Sequence, residues 1–362
     1  MKVTDVRMVQ VELPFAKPLR TAIHHIDSVG CVLVFADTDA GITGESYLFA
    51  FGNRKLDVLE GMVRALEHHL IGHDPHLSQG LWAEMWRDIN FLGHKGVPVF
   101  AVSALETVCW DIVGKAAGLP VYKLLGGVRD RVPAYASGGL WVSLTIDELV
   151  AEAKSFLDQG FRAMKMRFGK QHVTQDAERV AAVREAIGSE VALMADANQG
   201  FSVNHAIRLG RAIEPYNLTW FEEPVQAYDL EGSARVAAEI DTPIASGETE
   251  YARYGFADML ERKSADILMP DLQRVGGITE FMKVAHMAEA KDVPVSPHIF
   301  TEQSLQLCGA ISNCIYAEHM PWFEALYNEK MVLEDGDLMI PDRPGLGFTF
   351  DLDAVERHRI RD

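Results

Sequence analysis

The sequence predicts an α/β protein: a (β/α)7β barrel of the TIM type, with an α+β capping domain formed by the N-terminal part and the C-terminal tail. Two observations lead there. From about residue 132 a unit repeats, a short strand-like run ending in a polar residue, then a turn, then a helical stretch. Residues 1–125 lack that alternation, and the last 40 residues resume strand-like patterning.

VTDVRMVQVEL and CVLVFADTDAGITGESYLF read as a meander of strands, and VFAVSALETVCWDIVGKAAG as helix. Residues 1–125 are therefore expected to form a domain of their own. The repeated runs are VPAYAS (132–137), FRAMKMR (161–167), VALMAD (191–196), LTWFEE (218–223), PIASGE (243–248), ADILMPD (265–271), VPVSPH (293–298) and NCIYAE (313–318). Between them lie amphipathic segments such as ELVAEAKSFLDQG and ITEFMKVAHMAEA. Strands alternating with helices imply a parallel sheet, and eight at this spacing imply a closed barrel over 126–320. After the eighth run the chain reads as a loop and a hairpin around Asp335-Gly336, so residues 321–362 are expected to return to the cap.

Composition narrows the function. The 362 residues include 48% hydrophobic positions, enough for a large core. The 52 acidic against 34 basic residues, a net charge of −18, argue against nucleic acid or an anionic membrane as partner. The N-terminus alternates like a strand, and no run of 18 apolar residues occurs, which suggests a cytoplasmic protein. Cys31, Cys109, Cys308 and Cys314 show no C-x-x-C spacing and read as buried thiols.

In such barrels the site lies at the C-terminal rim, where strand ends converge. The run ends supply Lys165 and Arg167, Asp196 and Asn198, Glu222, Glu248, Asp271, His298 and Glu318. Asp196, Glu222 and Glu248 recur at equal intervals (222 − 196 = 248 − 222 = 26), which predicts the same height on three adjacent strands. Carboxylates so placed repel by about 4 kcal/mol per pair at roughly 4 Å and an effective dielectric near 20. A divalent cation removes that penalty, and all-oxygen ligation suits Mg²⁺, with Mn²⁺ the alternative. Asp271 and His298 close neighbouring runs, and a carboxylate beside an imidazole prepares a general base.

Within GFRAMKMRFG, Ala163, Lys165 and Arg167 share one face of a strand while Met164, Met166 and Phe168 share the other. The apolar face suits the outer helices, which puts both cations inside the barrel. The Arg167 charge and partial burial are expected to depress the pKa of Lys165 and make it a second base. A metal flanked by two bases suits removal of a proton next to a carboxylate.

These residues together resemble the enolase superfamily, and within it the mandelate racemase subgroup. The use of a Lys or His base with Mg²⁺ in that superfamily is a known pattern. ALETVCWDIVGKAAGLPVYKLLGG (105–127) is similar to the passage from cap to barrel, and KMR (165–167) to the second-strand base motif. DANQG (196–200), WFEEP (220–224) and SGE (246–248) resemble the metal-ligand strands, which implies Asp196, Glu222 and Glu248 as ligands. MPDLQRVGGITE (269–280) and SPH (296–298) resemble the Asp and His dyad, and Glu318 the acid that hydrogen-bonds the substrate carboxylate. Mandelate racemase itself has Lys where Arg167 stands. Lys-x-Arg, with AYDLEGSARVAAEIDTPIASGE (227–248) and the stretch 326–350, is more similar to the talarate/galactarate dehydratases.

The resemblance implies a Mg²⁺-dependent dehydratase of a sugar acid, aldonate or aldarate. It would take the proton α to the carboxylate, stabilise an enediolate on Mg²⁺ and expel the β-hydroxyl with acid help from His298, giving a 2-keto-3-deoxy acid. The alternative is a racemase or epimerase using Lys165 and His298 on opposite faces of one carbon. A metal-dependent hydrolase would want a His-x-His on the first strand, and YASGG offers none. TAIHHID (21–27) and LFAFGNRK (48–55) are candidate lids, with His24 and His25 as substrate-binding residues beside Asn198. Barrel enzymes of this group often assemble, so a homo-oligomer is expected.

Overall fold

The computed structural model describes residues 1–169 and 172–361. Strands β1 (Val3–Arg20), β2 (His25–Thr38) and β3 (Thr43–Phe51) form an antiparallel sheet in the order β1-β2-β3. Period-two alternation explains why β2 reads as a continuous apolar run. Val32 and Val34 face the helices Leu56–Leu66 and Val97–Ala117, while Cys31, Leu33 and Phe35 join the large core shared with the barrel and the tail.

Helix Val97–Ala117 is 21 residues long, with a mean hydropathy of 1.5 over its most apolar window, and 72% of that window is buried in the molecule. Its buried acids mark it as a core helix. Asp111 pairs with Lys115 at 2.6 Å and accepts from the Glu45 and Leu346 amides, while Glu106 accepts from the Ile278 and Thr279 amides at the start of helix Ile278–Glu289. Those contacts tie cap to barrel.

The barrel strands are β4 (Arg131–Ala136), β5 (Ala163–Arg167), β6 (Ala192–Asp196), β7 (Trp220–Glu222), β8 (Ile244–Ser246) and β9 (Ile267–Leu268), paired parallel in that order. Closure runs through single bridges, Leu268 to Val295 and Val295 to Cys314, and through β10 (Ala317–His319) pairing parallel with β4. The sixth and seventh runs thus yield far less regular strand than the sequence pattern predicts. Pro270, Pro294 and Pro297 remove the amides a ladder needs. Tyr135, Ala163, Met194, Trp220, Ala245, Ile267 and Met269 fill the interior.

The hairpin β11 (Leu333–Glu334) and β12 (Asp337–Met339) turns at Asp335 and Gly336, both with positive φ. It pairs antiparallel with β4, so the tail first extends the barrel sheet. Beyond it the Phe350 amide donates to Glu45 and Val11 bridges to Arg359, which brings the chain back to the cap.

Candidate active site

One cavity opens between the barrel's C-terminal rim and the cap, lined by Lys165, Arg167, Asp196, Asn198, Glu248, His298, Glu318 and His24 among others. Strand alternation delivers the two cations as expected. Met164, Met166 and Phe168 pack with the outer helices, and Lys165 and Arg167 are buried on the inner face.

Lys165 Nζ lies 2.6 Å from Glu222 Oε1 and 3.0 Å from Glu318 Oε1. Burial opposes its charge, but these two carboxylates outweigh burial and Arg167 together and raise its pKa above the ordinary lysine value. The expected depression is therefore overturned: the group against Lys165 is a pair of acids, not the guanidinium. Arg167 turns away along Asp196, with Nε 3.4 Å from Oδ2. Its Nη2 donates to Ser137 Oγ at 2.9 Å, and its Cζ lies 4.8 Å from the centroid of the Trp141 ring.

Asp196 and Glu222 face each other across β6 and β7. Glu248 does not share that height, because Glu222 registers with Ala245 and Gly247, at φ +128, turns the chain before Glu248. Equal sequence spacing does not survive the stagger of barrel strands. Each acid has a local partner: Asn198 donates to Asp196 from its amide and side chain, Trp220 Nε1 donates to Glu222, and Glu248 lies 3.4 Å from His298 Nε2. Burial first, and then neighbouring carboxylates, push Asp196 up and Glu222 to about 8, against the pull of Lys165. This oversupply of buried acid is what a bound divalent cation would relieve, and an all-carboxylate donor set fits Mg²⁺.

His298 Nδ1 is 2.8 Å from Asp271 Oδ2. Burial lowers the imidazole pKa, but Glu248, the Asp271 hydrogen bond and Glu318 outweigh it and raise the value to about 9. In metal-free protein this charge adds stability that is complete below the ordinary value of 6.5 and is lost as pH rises through about 9. The difference in unfolding midpoint between wild type and His298→Asn, followed from roughly pH 6 to 10, is expected to shrink accordingly. A pH-independent difference would contradict the dyad geometry.

Glu318 is held ionised. Burial works against it, but Lys165, His298, Ser137 Oγ and the Ile299 amide bring its pKa down to about 2. Its oxygens accept from Ser137 at 2.6 Å and from Ile299 at 2.7 Å.

His24 lines the cavity, its ring centroid 5.2 Å from that of Phe51 in an edge-to-face arrangement. His25 does not: it pairs with Asp27 at 3.2 Å, and its side chain is 56% exposed. Sequence reasoning passed over Glu223 and Arg274. Glu223, second of the Glu pair in WFEEP, has φ +37, which aims it into the mouth, where Gln199 donates to it at 2.8 Å. Arg274, three residues after Asp271, sits 3.2 Å from that carboxylate and also lines the cavity. An aromatic wall of Phe49, Phe51, Trp141 and Trp322 completes it.

A closed α/β barrel with acids on its central strands, a His–Asp dyad on the next two and a cap across its mouth defines an enzyme suited to metal-assisted acid–base chemistry. Residues 3–126 match the mandelate racemase / muconate lactonizing enzyme N-terminal domain family, and residues 148–354 the enolase C-terminal domain-like family. The chain belongs to the mandelate racemase / muconate lactonizing enzyme group of the enolase superfamily. It is 37% identical over 287 residues to the L-talarate/galactarate dehydratase of Salmonella typhimurium, covering 79% of this chain and 72% of that one. A structure of L-talarate dehydratase from Polaromonas sp. JS666, complexed with Mg and L-glucarate, superposes with TM-score 0.92 at 34% identity, covering 99% of this chain and 98% of that one. A racemase from Streptomyces coelicolor A3(2) with bound magnesium gives 0.95 at 32% identity, covering 99% and 100%.

Proposed function

We propose that the chain is a Mg²⁺-dependent hydro-lyase that dehydrates a sugar acid to a 2-keto-3-deoxy acid. The observation that carries this reading is the meeting, in one cavity, of the acids Asp196 and Glu248 with His298, which Asp271 holds from behind. Asp196, Glu222 and Glu248 would hold Mg²⁺, with Mn²⁺ a substitute. The bound ion supplies Lewis-acid stabilisation of the negative charge that develops on the substrate carboxylate oxygens.

Lys165, fixed by Glu222 and Glu318, keeps an N–H for a substrate carboxylate oxygen. His298 Nε2 takes the α-proton while Asp271 holds Nδ1–H. The resulting imidazolium returns a proton to the departing β-hydroxyl, which leaves as water, and the enol released becomes the keto acid. Isomerisation of one carbon needs a second base on the opposite face. Arg167 is a guanidinium, so Lys165 would have to be that second base; the similarity to several acid-sugar dehydratases favours the dehydratase reading over a racemase.

The test is a screen of acid sugars with Mg²⁺, read by 2-keto acid formation beside NMR in D2O for α-proton exchange. Keto acid that disappears with EDTA and returns with Mg²⁺ is the expected result. Exchange and inversion without keto product would establish the isomerase instead.

A further inference from the structure

We propose that His68, His69 and Asp88 form a transition-metal site on the outer surface of the cap, separate from the barrel and selective for ions of the Zn²⁺ type. The 3-10 turn Glu67–His69 lies against the C-terminal end of helix Ser78–Asp88, and one donor atom from each of the three residues falls within 4.8 Å of the others.

The imidazoles are prepared as ligands. Their ring centroids are 4.0 Å apart. His68 Nδ1 is 3.0 Å from the Ala65 carbonyl oxygen and donates to it, which leaves the Nε2 lone pair facing Asp88 Oδ2 at 3.9 Å. His69 Nε2 lies 2.9 Å from the same oxygen, and its Nδ1 lies 4.0 Å from Glu84, one turn before Asp88 on the helix. His68 thus has an outer acceptor for its other nitrogen, the arrangement that orients metal-bound histidines, while His69 Nε2 would exchange the proton it shares with Asp88 for the ion.

Donors about 2.0–2.2 Å from a tetrahedral ion sit roughly 3.3 Å from one another, between the two gaps observed, so small rotations complete the site. His68 and Asp88 have side chains 63% and 47% exposed, which leaves a fourth position for water. Two nitrogen donors favour Zn²⁺ over Mg²⁺, whereas the barrel offers oxygen alone. A bound ion would cross-link the two ends of segment 67–88.

The experiment titrates Zn²⁺ calorimetrically into protein kept in saturating Mg²⁺, comparing wild type with His68→Gln/His69→Gln. Wild type is expected to bind one equivalent more, and Co²⁺ to give visible absorption that the double variant loses. Should the double variant fold poorly, Asp88→Asn serves the same comparison. Coincident isotherms and Co²⁺ spectra for wild type and variant would overturn the proposal and leave an ordinary His–carboxylate ion pair.

Discussion

Replacing His298 with asparagine is expected to lower dehydration by about 10²–10⁴-fold, the range that general acid–base catalysis contributes. The effect is this large because one imidazole serves both steps, taking the α-proton and returning a proton to the leaving hydroxyl. Asparagine keeps the size and a hydrogen bond toward Asp271, so loss of fold is not the expected cause. The measurement is kcat for keto acid formation together with α-proton exchange in D2O. Both are expected to fall in parallel. If exchange persisted at the wild-type rate while elimination stopped, another group would be the base and His298 only the acid.

Lys165→Met is expected to have the largest effect on stability. The ammonium is 1% exposed and lies between two carboxylates, Glu222 at 2.6 Å and Glu318 at 3.0 Å. Removing one partner of a buried pair costs about 3–5 kcal/mol, because the remaining charge is left without compensation. The loss is expected in metal-free protein as a lower denaturant midpoint. It should be smaller with Mg²⁺, whose charge compensates Glu222, and partly recovered by Glu318→Gln in the same background. A metal-free Lys165→Met protein as stable as wild type would refute the ion-pair network. The same variant separates the two readings of this lysine. If Lys165 binds the substrate carboxylate, KM rises and α-proton exchange continues at a reduced rate; if it is the base, exchange stops.

Much of the site could be read from the sequence because it rests on period and order. Alternation alone turned Lys165 and Arg167 inward, since Met164, Met166 and Phe168 needed the helices. The repeat of one strand per unit put Asp196, Glu222, Glu248, Asp271, His298 and Glu318 around one rim. The barrel class followed from the same repeat, including an eighth strand that leads into a loop and hairpin.

What failed depended on distances between strands. Glu248 stands off the height of Asp196 and Glu222, because stagger between strands is not written in their spacing. His25 points to solvent beside Asp27 although its neighbour His24 reaches the cavity. Glu223 enters the mouth only because its backbone adopts a positive φ, which a strand pattern cannot anticipate.

The linear order of apolar and ionisable residues therefore determined by itself the barrel, its inward face and which residue types meet at the mouth. Only the tertiary structure decided the direction in which their pKa values move. The pKa of Lys165 depends on which charges stand within a few ångströms of its nitrogen, and strand pairing placed Glu222 and Glu318 there rather than the guanidinium two residues along the chain.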